Sequence, residues 1–93
     1  MLSSSPIDLK NVPQNEIEKE ILRLGMIAEL DAVSLYEQLA AKSKNRKIKA
    51  TLLEIAKEEK THVGEFQALL LELDKEQVKE LEKGKKEVKE LTK

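Results

Sequence analysis

Two long stretches of the chain place apolar residues at alternating steps of three and four. The first stripe is Leu22, Met26, Glu29, Val33, Tyr36 and Ala40, and the second is Ile48, Leu52, Ile55, Glu59, His62, Phe66, Leu69 and Leu73. Such steps keep each set of side chains on one face of an α-helix. The pattern therefore predicts one helix from about residue 15 to Ser43 and a second over roughly residues 45–73.

Turn and capping signals connect these helices. Residues 42–47 (KSKNRK) contain no apolar residue and are predicted to form the turn of an antiparallel hairpin. Asn15, followed by Glu18, is predicted to cap the first helix. Asp74 is predicted to cap a third, shorter helix that continues toward the C-terminus and that Gly84 could interrupt.

The fold predicted from these elements is all-α: an antiparallel two-helix hairpin followed by a short C-terminal helix. The chain divides into an irregular lead-in over residues 1–14, the hairpin over residues 15–73, and a C-terminal helix or extension over residues 74–93. The first helix carries further apolar residues outside its stripe, namely Ile21, Leu24, Ile27, Leu30 and Leu35. A helix that is apolar around most of its circumference needs more than one covering neighbour, which indicates oligomerisation, although the third helix could cover part of this surface.

Composition and charge exclude several classes of partner. The 17 Lys and Arg nearly balance 18 Asp and Glu, so no basic surplus is present to bind nucleic acid or an anionic membrane. With no Cys, the chain has neither disulfides nor thiolate metal ligands. Residues 1–10 lack the pattern of a secretory signal, and no apolar run is long enough to span a bilayer. We therefore expect a soluble, intracellular protein.

Three polar side chains, Glu29, Glu59 and His62, interrupt the middles of the two apolar stripes. Glu59 and His62 are three residues apart and share one helix face. In ferritin-like di-iron bundles, two helices each contribute a Glu and two others each contribute such a Glu-x-x-His pair. Carboxylates are hard anionic donors that can bridge two irons, and each imidazole supplies a nitrogen ligand. The spacing thus favours an iron site.

The hairpin register points to the same three residues. If the turn is centred between Lys44 and Asn45, antiparallel partners have residue numbers that sum to about 89, so Glu29 lies level with residue 60. All three side chains can then converge at one height. One chain offers two Glu and one His, which is half of the bundle set. Twofold pairing of two hairpins would make a ferritin-like four-helix bundle and supply the other half at the subunit interface.

Each feature alone has a plainer interpretation. A Glu-x-x-His pair is often a solvated surface pair, a lone His on an apolar face is often a core residue, and a buried Glu can fix the register of a coiled coil. The coincidence of all three at one level favours the metal site. Tyr36, two turns beyond Glu29, either donates a hydrogen bond to a ligand carboxylate or is a core aromatic residue.

The same residues resemble the encapsulated ferritins, the ferritin-like cargo of encapsulin nanocompartments. The resemblance lies in residues 28–33 (AELDAV), 35–36 (LY) and 58–62 (EEKTH), together with the interval between Glu29 and Glu59. It covers roughly residues 15–75 and is closest to the archaeal type, in which this domain is joined to the N-terminus of the shell protein.

The resemblance implies a dimer that builds the ferroxidase centre, with dimers arranged in a ring-shaped decamer inside the lumen of a cytoplasmic encapsulin shell. It implies that Glu29, Glu59 and His62 bind iron, that Glu59 bridges, and that Tyr36 is an aromatic residue beside the ligands. Some members use an acid at the position of Ala28, with the acid at the position of Asp31, where metal ions enter. This chain lacks the first of those acids.

The predicted function is a ferroxidase: two Fe(II) ions bind, oxygen reacts across the pair, and Fe(III) is released as oxide for storage in the shell. Two alternatives remain. The same ligands could serve a di-metal protein that uses peroxide or manganese, or the chain could be a non-enzymatic helical assembly module.

Overall fold

Helices account for nearly all of the part of the chain that the structure, a computed structural model, describes, which is residues 8–93. Within this part, α1 is Ile17–Lys42, α2 is Arg46–Leu73 and α3 is Lys75–Leu91, and no strand is present. Helices α1 and α2 pack as an antiparallel hairpin. The predicted all-α hairpin with a C-terminal helix is therefore confirmed. The division of the chain at residues 14 and 73 into separate parts stays a prediction.

The start of α1 differs from its prediction. Short 3-10 turns occupy Leu9–Asn11 and Gln14–Glu16, while residues 1–7 of the predicted lead-in lie outside the described part. The Glu16 amide donates to the Pro13 carbonyl at 2.9 Å, so a tight turn leads directly into the helix. Asn15 lies inside this turn, and no side-chain capping bond is present among the described residues at this helix end. The prediction that Asn15 caps α1 is wrong.

The hairpin turn is shorter than the polar segment that predicts it. Only residues 43–45 are non-helical between α1 and α2. The Asn45 side chain accepts hydrogen bonds from the amides of Lys47 and Ile48, both at 3.0 Å. These bonds satisfy two of the amides that lack a partner in the first turn of a helix, so α2 begins sharply at Arg46.

Asp74 joins all three helices. Its amide donates to the carbonyl of Leu70 at the end of α2, and its Oδ1 accepts from the amide of Gln77 at 3.0 Å, which confirms it as the cap of α3. Its Oδ2 accepts from the Arg23 guanidinium of α1 at 3.0 Å. The pKa of Asp74 is lowered mainly by the hydrogen bond from Gln77, and to a smaller extent by the charges of Lys19 and Arg23.

Arg23 also forms an ion pair with a residue of its own helix. Its guanidinium also donates to Glu20, and this bond, followed by the bond to Asp74, raises the pKa of Arg23. The resulting link between α1 and the start of α3 is a long-range contact that helical periodicity does not indicate.

The internal seam of the hairpin is narrow. Four side chains are buried among the described residues: Val33 and Ala40 on α1, and Ala56 and Leu70 on α2. Members of each pair are separated by seven or fourteen residues, the repeat of coiled-coil packing. Ala56 and Leu70 lie beside, rather than on, the stripe predicted for α2. The predicted stripe is therefore only partly covered within one chain.

Helix α3 extends away from the hairpin. The described chain measures 47 × 43 × 21 Å. At 1.5 Å per residue α2 is about 42 Å long, so the longest dimension is that of the hairpin. Two packed helices alone would be far narrower than the second dimension, so α3 must account for it.

Gly84 does not break α3, which is continuous from Lys75 to Leu91, because one glycine costs a helix only about 1 kcal/mol. No helix in residues 8–93 combines the length and apolar character needed to cross a bilayer.

Candidate metal centre

Glu29, Glu59 and His62 meet halfway along the hairpin. Each offers one ligand atom, and these three atoms lie within 4.8 Å of one another. Nδ1 of His62 is 3.3 Å from Oε2 of Glu29 and 3.4 Å from Oε2 of Glu59. The structure thus brings together all three residues that the spacing and the hairpin register select.

Regular helical geometry alone positions these side chains. Glu59 and His62 stand one turn apart on α2, and Glu29 approaches them from the adjacent α1. The backbone of the described residues has no cis peptide bond and no positive φ angle. The cluster therefore depends on the packing of α1 against α2, because no local loop conformation supports it.

The cluster is open on one side of the hairpin. The Glu29 and Glu59 side chains are 21% and 18% exposed, whereas that of His62 is 44% exposed. His62 belongs to a row of every seventh residue on α2, together with Ile48, Ile55 and Leu69. Ile48 and Leu69 are each 52% exposed. We call this row the outer seam of α2; it places His62 in the middle of an apolar surface that a second helix could cover.

The donor set suits a divalent or trivalent transition metal. Two carboxylates and one imidazole combine hard anionic oxygen with a nitrogen of intermediate softness, a set that iron, manganese and zinc accept. Metal–ligand bonds of about 2.0–2.2 Å require the donors of one ion to lie roughly 3–4 Å apart. The contacts of His62 with the two carboxylates satisfy this requirement. Three donors leave coordination positions for further ligands.

Neighbouring residues differ in their relation to the cluster. Tyr36 is half-buried, and no hydrogen bond joins it to the three candidate ligands within the described chain, so its role stays a prediction. Lys60, between Glu59 and His62 in sequence, pairs with Glu37 of α1 at 3.0 Å. Both side chains of this pair are well exposed, so we expect it to contribute little to stability.

One contact beside the cluster has no counterpart in the sequence analysis. Gly25 of α1 faces the ring of Phe66 on α2 so closely that a methyl group at position 25 would lie 2.9 Å from two ring carbons. The sequence signal available for it is a glycine inside an otherwise strong helical pattern, which often marks a close approach of another element.

Comparison with known proteins identifies the family. The family model described as rubrerythrin matches residues 20–93. The crystal structure of the encapsulated ferritin domain from Pyrococcus furiosus aligns with a TM-score of 0.84 and 54% identity, covering 99% of this chain and 96% of that one. The chain is an encapsulated ferritin of the rubrerythrin family.

A longer relative of this encapsulated ferritin is also known. It is the ferritin-like-encapsulin shell fusion protein of Pyrococcus furiosus, which is 55% identical over 94 residues. The alignment includes 99% of this chain but spans only 27% of the relative's length. The resemblance to the archaeal encapsulated ferritins that residues 28–36 and 58–62 carry is confirmed.

Proposed function

We propose that this encapsulated ferritin is a ferroxidase that oxidises Fe(II) to Fe(III) at a two-iron site shared by two copies of the chain. The observation that carries the proposal is the cluster of Glu29, Glu59 and His62, which lies within ligand distance and opens onto the exposed outer seam.

The ligand count favours a shared site. Di-iron bundles use four carboxylates and two imidazoles, and one hairpin supplies two carboxylates and one imidazole. A twofold pairing across the outer seam would bring a second His62 and two further carboxylates to the first set. The same pairing would cover Ile48 and Leu69, which supplies a hydrophobic driving force for association.

The side chains themselves favour the oxidised product. The charges of Glu29 and Glu59 stabilise Fe(III) more than Fe(II), because the attraction grows with the charge of the ion. Glu29, Glu59 and His62 would hold the irons, and the resemblance to the encapsulated ferritins assigns the bridging role to Glu59. When bound, the iron pair supplies the electrons that reduce oxygen. Once a second copy covers it, the apolar seam on either side would limit the access of water to the site.

The name of the longer relative supports a proposal for where the Fe(III) product is stored. Because the Pyrococcus furiosus relative is named as a fusion with an encapsulin shell, we propose that this chain acts with a shell protein and delivers Fe(III) to the lumen of a cytoplasmic compartment. Arrangement of the dimers in a ring-shaped decamer is part of the same proposal.

The experiment adds Fe(II) in air to the wild-type chain and to two variants, Glu59→Gln and Glu58→Gln. Ferric absorbance and iron bound per dimer are followed together. We expect rapid oxidation with about two irons per dimer in the wild type, as in other two-metal sites. Glu59→Gln should lose both properties. Glu58→Gln, the same chemical change on the adjacent exposed residue, should retain them.

Other outcomes select the alternatives. Turnover with peroxide but not with oxygen, or tight binding of manganese without iron oxidation, would assign the same ligands to different chemistry. If the wild type oxidises iron at the rate of buffer, binds no metal and keeps its oligomeric state in chelator, the chain is a helical assembly module.

A further inference from the structure

Gly25 of α1 lies close to the ring of Phe66 on α2. Of the three glycines in the described chain, only Gly25 has another residue in the space that a Cβ atom would occupy. A Cβ atom at position 25 would lie 2.9 Å from Cε1 and Cζ of Phe66 and 3.0 Å from Cδ1. Separations this short are not tolerated between real carbon atoms, so one edge of the ring occupies the space that any other residue at position 25 would need. The ring is seated directly against the backbone of α1.

This contact lies one turn from the metal centre and in register with it. Gly25 precedes Glu29 by four residues, and Phe66 follows His62 by four residues. Because the helices are antiparallel, the pair Gly25 and Phe66 repeats the pair Glu29 and His62 one turn along the hairpin. The spacing of the helices at the first pair therefore fixes their spacing at the second.

We propose that Gly25 is a positioning residue, which lets Phe66 seat against α1 and so sets the distance between Glu29 and His62. The inference rests on the proposed metal-binding function and extends it to a residue that touches neither metal nor ligand. Glycine is a poor helix former, and its presence in the interior of α1 is unfavourable by about 1 kcal/mol relative to alanine. The missing side chain compensates by allowing the close approach.

The expected sensitivity follows from the tolerance of metal sites. Ligand constellations function only when their donors are held within about 0.5 Å of the required geometry. Relief of a 2.9 Å contact to an ordinary carbon–carbon separation of about 3.5–4.0 Å requires a movement of this size or larger. Either α1 moves away and carries Glu29 with it, or the Phe66 ring turns and displaces the α2 side chains beside it.

The other glycines provide matched controls. A Cβ atom at Gly64 or Gly84 would meet no atom within 4 Å among the described residues. Gly84→Ala, on α3 and remote from the cluster, therefore tests the effect of helix propensity alone. We expect it to raise the melting temperature slightly and to leave metal binding unchanged.

The test titrates Co(II), a spectroscopic substitute for Fe(II), into the wild type, Gly25→Ala, Gly84→Ala and the double variant Gly25→Ala with Phe66→Leu. Visible absorbance of bound cobalt reports affinity and ligand geometry, and far-ultraviolet circular dichroism reports helix content. We expect Gly25→Ala to weaken cobalt binding about 10-fold or more, the usual size for loss of ligand support, with unchanged helix content. The double variant, whose smaller residue at position 66 frees space for the methyl group, should bind cobalt more tightly than Gly25→Ala.

The outcomes separate this inference from the proposed function. If the wild type binds no cobalt and no iron, the proposed metal site fails. If the wild type binds cobalt and Gly25→Ala binds it with the same affinity and spectrum, the metal site stands and the positioning role of Gly25 is wrong. Weakened binding that the double variant does not improve also contradicts the role, because the contact with Phe66 is then not the cause.

Discussion

At the scale of single residues, Asp74 is hydrogen-bonded to residues of all three helices. It ends α2 through its amide, starts α3 through Oδ1, and binds Arg23 of α1 through Oδ2. Each bond to the side chain favours the charged carboxylate, which is why the pKa of Asp74 is lowered in the folded chain. Protonation of this one carboxylate therefore weakens both the cap of α3 and the contact with α1.

This arrangement predicts an acid-dependent loss of stability. Because folding lowers the pKa of Asp74, its contribution is fully present above the ordinary value of 3.8 and is lost as the pH falls below that value. Asp74→Asn keeps a capping oxygen but cannot titrate, so its melting temperature should fall less steeply between pH 5 and pH 2.5 than that of the wild type.

Glu76→Gln is the matched control for this measurement, since Glu76 is an exposed acid in the first turn of the same helix. Its melting temperature should follow the wild-type dependence on pH. Parallel curves for the wild type and Asp74→Asn would show that the junction does not contribute to acid sensitivity.

At the scale of elements, two asparagines near helix starts have different roles. Asn45 accepts hydrogen bonds from two amides of α2, whereas Asn15 lies in the turn before α1. Asn45→Ala should lower the free energy of unfolding by about 1 kcal/mol, the usual effect of removing a cap. Asn15→Ala should change it by less than about 0.5 kcal/mol, as for other surface positions.

Denaturant unfolding of the metal-free chain measures both effects, and Asn45→Ser should recover most of the loss because serine also caps helices. Equal losses for Asn15→Ala and Asn45→Ala would contradict the assignment of the caps.

These caps show where sequence patterns are informative about the elements. The apolar steps of three and four predict α2 to within a residue, because a long amphipathic pattern is a strong local signal. The start of α1 is misjudged since Pro13 opens a 3-10 turn that replaces a side-chain cap. Gly84 is misjudged because a single glycine weakens a helix without ending it.

The candidate site shows the same division. Glu29, Glu59 and His62 can be placed together from periodicity and the position of the hairpin turn, since both are properties of regular helices. The contacts of Gly25 with Phe66 and of Arg23 with Asp74 cannot, because they depend on the distance and angle between packed helices. A glycine in the middle of a helix is the only local sign of the first.

At the scale of the whole molecule, the outer seam indicates which substitution would disrupt the proposed pairing of two chains. Leu69 is two turns from His62 on this seam, and a charge there would be buried by a partner helix. Leu69→Glu should weaken dimerisation by about 2 kcal/mol, which is roughly 30-fold in dissociation constant. Iron bound per chain should fall in parallel. Light scattering after size-exclusion chromatography measures the first effect.

The control for this prediction is Leu53→Glu. Leu53 is nine residues from His62 and so lies on the opposite face of α2, and its 46% exposure is similar to that of Leu69. It should keep the iron bound per chain at the wild-type value. A loss of iron in both variants would mean that the outer seam is not the surface that completes the site.

A half-set of ligands also has a kinetic consequence for the proposed ferroxidase. If two chains must meet before the site exists, the number of working centres in dilute solution rises with the square of the chain concentration. Newly made chains at low concentration in a cell would then not oxidise Fe(II). Confinement of many copies in a small volume raises their effective concentration and brings the centres into existence where the product can be retained. A site that is incomplete in one hairpin would thereby make the proposed activity conditional on location.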